Sequence, residues 1–297
     1  MPKTIKIDFF KVAMPEDAEE AFEALLNRIA DMPIAEDVRT QRLSSDPVRL
    51  QELHHRGGYL EGDMVRTRMD NLPAKSNIDT GELAPLDLEE DEGLGEEAAF
   101  LYDPQTACLV MQRNRFSVSA TAFATYCSDI GEYQTAIILE PIISGDVIAR
   151  LHEFDRVRRL RIKVAGLAGG EVLRNTPYSL AHIAAFANDY ASPTVNIEVS
   201  MGHQGGSLMR QRVNEVVEWL RQRAGGSELE VQQIKVAGSA PGEGTEVLDL
   251  LESRIIEERR VDVNEQRIVP YSNRREAVRA AWGEQRQRIQ LILRRPQ

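Results

Sequence analysis

The sequence predicts an α+β protein in two parts: an acidic N-terminal α+β module over residues 1–132, and a C-terminal α/β module over residues 133–297. The second part is read as repeated strand–Gly loop–helix units closed by a long C-terminal helix. Three observations predict this. Short β-branched or aromatic runs alternate with longer stretches of helical period. A strand followed by a glycine-bearing turn recurs three times in the later half. The charge also changes character midway. Of the 36 Lys/Arg and 47 Asp/Glu, residues 1–130 hold 13 and 25, which leaves 23 and 22 for residues 131–297. The acidic excess is therefore N-terminal, and the cations of the later half are almost all arginine.

The elements follow in order. Residues 4–13, "TIKIDFFKVA", read as a first strand. Residues 14–33 read as an amphipathic helix with Phe22, Leu25, Leu26 and Ile29 on one face, stopped near Pro33. Two strands flank Gly57-Gly58. Residues 81–97 carry eight carboxylates and no cation, which marks an exposed loop. "AAFLYDPQTACLVMQRN" is a hairpin turning at Asp103–Thr106. A helix follows, capped at Ser117 or Ser119 and stopped by Gly131. After "TAIILEPII", three strands place Ile162, Ile197 and Ile234 at equivalent positions, 35 and 37 residues apart, with helical segments between them. The terminal helix is expected to bury Val278, Trp282, Ile289 and Ile292 and to keep its arginines outside.

The chemistry of single motifs excludes more than it assigns. "GHQGGS" lacks the lysine of a P-loop and the dinucleotide-binding spacing, so it reads as a tight turn with Ser207 capping a helix. His54 and His55 are adjacent on a strand, so they point to opposite faces and do not share a metal; with Glu61 and Asp63 they read as ordinary edge-of-sheet residues. No serine elbow, Cys–His arrangement or zincin helix is present. Cys108 and Cys127 sit in apolar contexts and read as buried free thiols. No catalytic residue, metal or cofactor is expected. No stretch has the length of a transmembrane span, and a cytoplasmic protein is expected.

The basic clusters carry the functional reading. "RVRRLRIKV", residues 156–164, alternates as a strand, with Arg159, Arg161 and Lys163 on one face and Leu160, Ile162 and Val164 on the other. Neighbouring cations on that face are about 6.6 Å apart. Arg156, Arg158 and Arg174 flank it. Arg210 and Arg221 lie eleven residues, three helical turns, apart on a predicted helix. Guanidinium groups suit phosphate because their planar fork donates two parallel hydrogen bonds. These eight residues form the candidate nucleic-acid-binding set, and aromatic interleaving is too sparse for a single-strand stacking platform.

The stretch "LEEDEGLGEEAAFLYDPQTACLVMQRNRFSVSATAFATYC" resembles the central segment of a bacterial and phage family of uncharacterised proteins. In its order of elements that family is similar to the RexA protein of phage lambda and to the KwaB component of Kiwa defence. The resemblance implies a role in phage exclusion or antiviral defence. It also implies a homodimer or higher homo-oligomer that binds duplex DNA without strong sequence preference, and a membrane-protein partner encoded nearby. Two other readings stand beside it. One is a non-enzymatic assembly protein that binds no nucleic acid, and the other is a metal-dependent nuclease using scattered carboxylates.

Overall fold

The structure, a computed structural model, describes residues 2–35, 37–43, 46–165, 177–223 and 230–294. The first strand, β1 (Lys3–Ala13), precedes helix α1 (Phe22–Asp31). Strands β2 (Thr40–Leu43), β3 (Asp46–Arg56) and β4 (Tyr59–Arg68) follow, then the two-residue strands β5 (Lys75–Ser76) and β6 (Leu83–Ala84). The hairpin of β7 (Leu94–Asp103) and β8 (Cys108–Arg113) leads into α2 (Ala120–Gly131) and β9 (Ile138–Pro141). Beyond these lie α3 (Gly145–Glu153), β10 (Arg156–Ala165), α4 (Tyr178–Asp189), β11 (Thr194–Ser200), α5 (Arg210–Arg223), β12 (Glu230–Ser239), β13 (Glu246–Asp249), β14 (Ile256–Val261) and α6 (Tyr271–Arg294).

The larger sheet has the order β14-β1-β8-β7-β4-β3-β2, and β9 takes over as partner of β1 where β14 leaves. Strand alternation sends Ile5, Ile7 and Phe9 to one face and Phe10 and Val12 to the other. α1 and α2 cover one face with Phe22, Leu25, Leu26, Ile29, Phe123 and Tyr126. α6 covers the other with Val278, Ala281, Trp282 and Ile289. The Tyr126 hydroxyl donates to the Arg39 carbonyl at 2.7 Å and accepts from the Leu50 amide at 3.0 Å, so α2 is tied to β3 by a phenol whose polar tip is satisfied. Both cysteines are buried and free. The mixed α+β class and the long C-terminal helix expected from the sequence are present.

The smaller sheet, β11-β10-β12-β13, is antiparallel throughout. Ile162 is paired with Ile197 on one side and Ile234 on the other, so the three repeat isoleucines form one row across the sheet. That row and its neighbours Leu160, Val164 and Val236 pack against Val213, Val216, Val217 and Leu220 of α5 and Leu180 and Ala184 of α4. The repeated units therefore build one sheet with its helices on a single face, and among the described residues no helix covers the opposite face.

The sheets do not divide the chain at residue 132. β9 and β14 both hydrogen-bond to β1, and α6 lies on the first sheet. The second layer, from α3 to β13, is thus inserted between two segments of the first. A helix that follows the second layer in sequence packs on the first because its apolar face matches the row Ile5, Ile7, Phe9, Leu101 and Val110.

Candidate nucleic-acid interface

β10 is the middle of the open face. Val157, Leu160, Ile162 and Val164 point into the core, while Arg159 and Lys163 are exposed and Arg161 is partly exposed. Arg161 is paired across the ladder with Glu198 of β11 and with Lys235 of β12. Its Nε donates to Glu198 Oε2 at 2.8 Å, and the Nε of Arg159 lies 3.3 Å from the other carboxylate oxygen. Lys235 is 3.0 Å from Asp249 of β13. Lys163, between Asn196 and Gln233, has no carboxylate within ion-pair reach among the described residues. Three cations thus share two carboxylates on one solvent-facing sheet surface, and a fourth, Lys163, stands beside them without one among the described residues. Arg156 is exposed at the start of the same strand, opposite Ser239.

The other predicted residues go elsewhere. The ladder slips between Val157 and Arg159, which takes Arg158 out of the alternation. Its guanidinium donates to the carbonyls of Gln204, Gly206 and Gly202 at 2.6, 3.0 and 3.1 Å. Arg158 is therefore a loop staple. The loop it holds is the "GHQGGS" turn, and there Ser207 does not cap a helix: its hydroxyl accepts from the Val157 amide at 2.9 Å, and α5 begins only at Arg210. Arg210 and Arg221 do share a helix face and line a cleft of about 1070 Å³ between α3, α5 and the end of α6. That cleft is on the covered side of the second sheet, away from the β10 stripe. Arg210 donates to the His152 carbonyl at the end of α3. Arg221 is buried, 3.4 Å from Glu140 of β9 and 3.1 Å from Glu218, so it is a joint between the layers and is unavailable to a macromolecular phosphate. Arg174 lies outside the described residues.

Of the arginines of α6, Arg288 and Arg294 are exposed as expected, whereas others turn inward. Arg274 is buried, donating to Asp63 at 2.5 Å, Glu97 at 2.6 Å and the Val269 carbonyl at 2.6 Å. Arg279 donates to Glu61 at 2.6 Å, and Arg286 to Asp103 at 3.2 Å. Glu61 and Asp63, taken from the sequence as edge residues, are 0% and 1% exposed beneath α6. The two carboxylates, at alternate positions of β4, face arginines one helical turn and a residue apart. Without the pairing of helix and strand, neither pattern alone reveals that match. His54 and His55 do diverge, His54 to Glu52 at 2.8 Å and His55 to Asn27 of α1 at 2.7 Å. Among the described residues no group of three or more His, Cys, Asp or Glu is placed to hold a metal ion.

Lys235, Glu198 and Asp249 were not among the sequence candidates. For Lys235 a signal existed. The first and third repeats share Ile-Lys-Val-Ala-Gly, so pairing their isoleucines antiparallel puts both lysines on one face, on either side of the isoleucine row.

These features define a mixed α+β protein with a cationic open sheet face and an internally neutralised terminal helix. The chain belongs to a family of unknown function (DUF6731), whose match spans residues 1–286. Comparison with curated proteins finds no match.

Proposed function

We propose that this protein is a non-enzymatic binder of duplex DNA. It grips phosphates through the open face of the second sheet with little sequence selectivity, and it acts in phage exclusion or defence as the resemblance to RexA and KwaB implies. The observation that carries the reading is the excess of Arg159, Arg161, Lys163 and Lys235 over Glu198 and Asp249 on one rigid surface. Side chains fixed on a strand can meet a regular polyanion without first ordering a loop. Phosphate contacts of this kind give affinity and salt dependence but no sequence information. Homo-oligomerisation and a membrane-protein partner belong to the same proposal.

Fluorescence anisotropy of a labelled duplex tests it. The wild-type chain should bind two unrelated duplexes alike at low salt. Replacing Arg159, Arg161 and Lys163 together by alanine should weaken binding about tenfold or more, and Arg210→Ala should leave it unchanged. Equal binding by the triple variant overturns the proposal.

A second reading, an assembly protein that binds no nucleic acid, is favoured by one observation: Arg221, Arg274, Arg279 and Arg286 are engaged by carboxylates of the first layer. Light scattering separates the two, since an oligomer indifferent to added duplex fits only the second.

A further inference from the structure

A second cationic feature lies on the first sheet, lined by none of the β10 residues. Where β14 leaves β1 and β9 replaces it, the ladder opens into a cleft of about 270 Å³ between the end of β8 and the start of α2. Asp8, Arg113, Arg115, Ser119, Thr121 and Arg254 are among its walls. Asp8 is the one carboxylate among them, and Arg113 engages both its oxygens, with Nε 2.7 Å from Oδ2.

Arg254, in the same wall, forms no direct ion pair among the described residues. Its backbone is fixed by the bridge to Ile143. Its side chain has no carboxylate within ion-pair reach among the described residues, and its buried Nε has no hydrogen-bond partner. Burial, above all, pushes its guanidinium pKa down and the neighbouring Arg113 adds to this, while Asp8 pulls it up. A guanidinium does not escape such a position by losing its proton, so the unmet demand is for an anion. Arg115, its charge lying over the Phe116 ring at 4.3 Å, adds a third cation to the wall. The same cleft receives the start of α2. Ser119 takes the Ala122 amide at 3.1 Å, so the amides of Ala120 and Thr121 remain at the open helix end.

We propose that this cleft binds a phosphate-type oxyanion, as free phosphate or as the phosphomonoester of a small molecule, held by Arg254 with Arg113 and Arg115 and by the first amides of α2. Three cations against one carboxylate leave a surplus of two positive charges, and the volume admits one such group with a small substituent. Arg254 is the central donor because its buried Nε has no other partner among the described residues. Arg113 is oriented by Asp8 and contributes field.

Calorimetric titration of the full chain with inorganic phosphate, in a phosphate-free buffer of low ionic strength, should show one saturable site. Arg254→Met should weaken it about tenfold or more, whereas Arg161→Ala should leave it intact, which separates this site from the duplex-binding face. Amide NMR supplies a measurement that needs no variant: the Ala120 and Thr121 resonances of the wild-type chain should shift with phosphate. A parallel titration with ribose 5-phosphate tells the sources apart, since tighter binding assigns a phosphomonoester and equal or weaker binding assigns the free ion. Absence of saturable uptake overturns the proposal. So does uptake that moves neither amide or survives Arg254→Met unchanged.

Discussion

Asp63 shows how much a single residue here depends on its surroundings. It is almost wholly buried, one of its oxygens has no hydrogen-bond partner, and its one cation, Arg274, also serves Glu97. Burial therefore outweighs Arg274 and pushes the Asp63 carboxyl up to about 7. A folded-state pKa above the unfolded value means that the native chain keeps a proton the unfolded chain has released. The contribution of Asp63 to stability therefore declines as pH rises from about 4 to about 7. Asp63→Asn removes that dependence. Urea unfolding at pH 5 and pH 8 should show the variant gaining on the wild type at the higher pH, by on the order of a kcal/mol or more; a difference that ignores pH contradicts this assignment. Arg158 gives a second test. Its three carbonyl partners predict that Arg158→Ala costs about 1–3 kcal/mol and leaves duplex affinity unchanged, as measured by urea midpoint and anisotropy. At this scale the sequence was legible where alternation rules: Arg159, Arg161 and Lys163 share the expected face. It was not legible where one inserted residue, the bulge at Arg158, re-aims a side chain, or where Arg221 finds Glu140 eighty-one positions away.

Among the elements, β10 and β12 approach closely at Gly238. A Cβ there would meet the Phe154 ring and lie 2.7 Å from the Arg156 carbonyl, so close backbone approach requires glycine. Gly238→Ala should destabilise by about 1–3 kcal/mol. Gly244→Ala, with nothing within 4 Å of the added Cβ, should be near neutral; thermal melts of the pair check both. Helix ends were legible only in part: the first helix, expected over residues 14–33, begins at Phe22 and ends at Asp31, and α5 begins at Arg210, beyond the expected cap at Ser207, whereas α2 lies close to expectation. Ser119 is the N-cap of α2, but the left-handed residue that ends it is Glu132, φ 54°, with Gly131 still helical. Tyr133 explains the glycine, because its ring occupies the space a Cβ at 131 would need. The equivalence of Ile162, Ile197 and Ile234 was legible from spacing and is realised as a row. The strand directions were not, since helical segments between strands fit parallel or antiparallel pairing until the edges are known.

At the scale of the whole molecule, the chain is organised by α6 and β14 returning to the first sheet after the second layer is complete. Trp282, 1% exposed against Phe9, is the largest side chain in that closure. Trp282→Ala should cost about 3–5 kcal/mol, read as a shifted denaturant midpoint. The return also explains the charge split in the sequence. Carboxylates of the N-terminal part and arginines of the C-terminal helix neutralise each other across one interface. A pI near 5.1 therefore describes the loops and outer surfaces more than that joint. The surface proposed for a polyanion is the β10 face, where Arg159, Arg161 and Lys235 answer to carboxylates of their own sheet. The salt dependence of duplex binding tests that claim most directly. The account predicts a log–log slope of roughly −3 to −4, about −0.9 per phosphate contact, shallower by nearly two in the Arg161→Ala, Lys163→Ala double variant. Binding with a salt slope that this double variant leaves unchanged, or no binding at low salt, would contradict it.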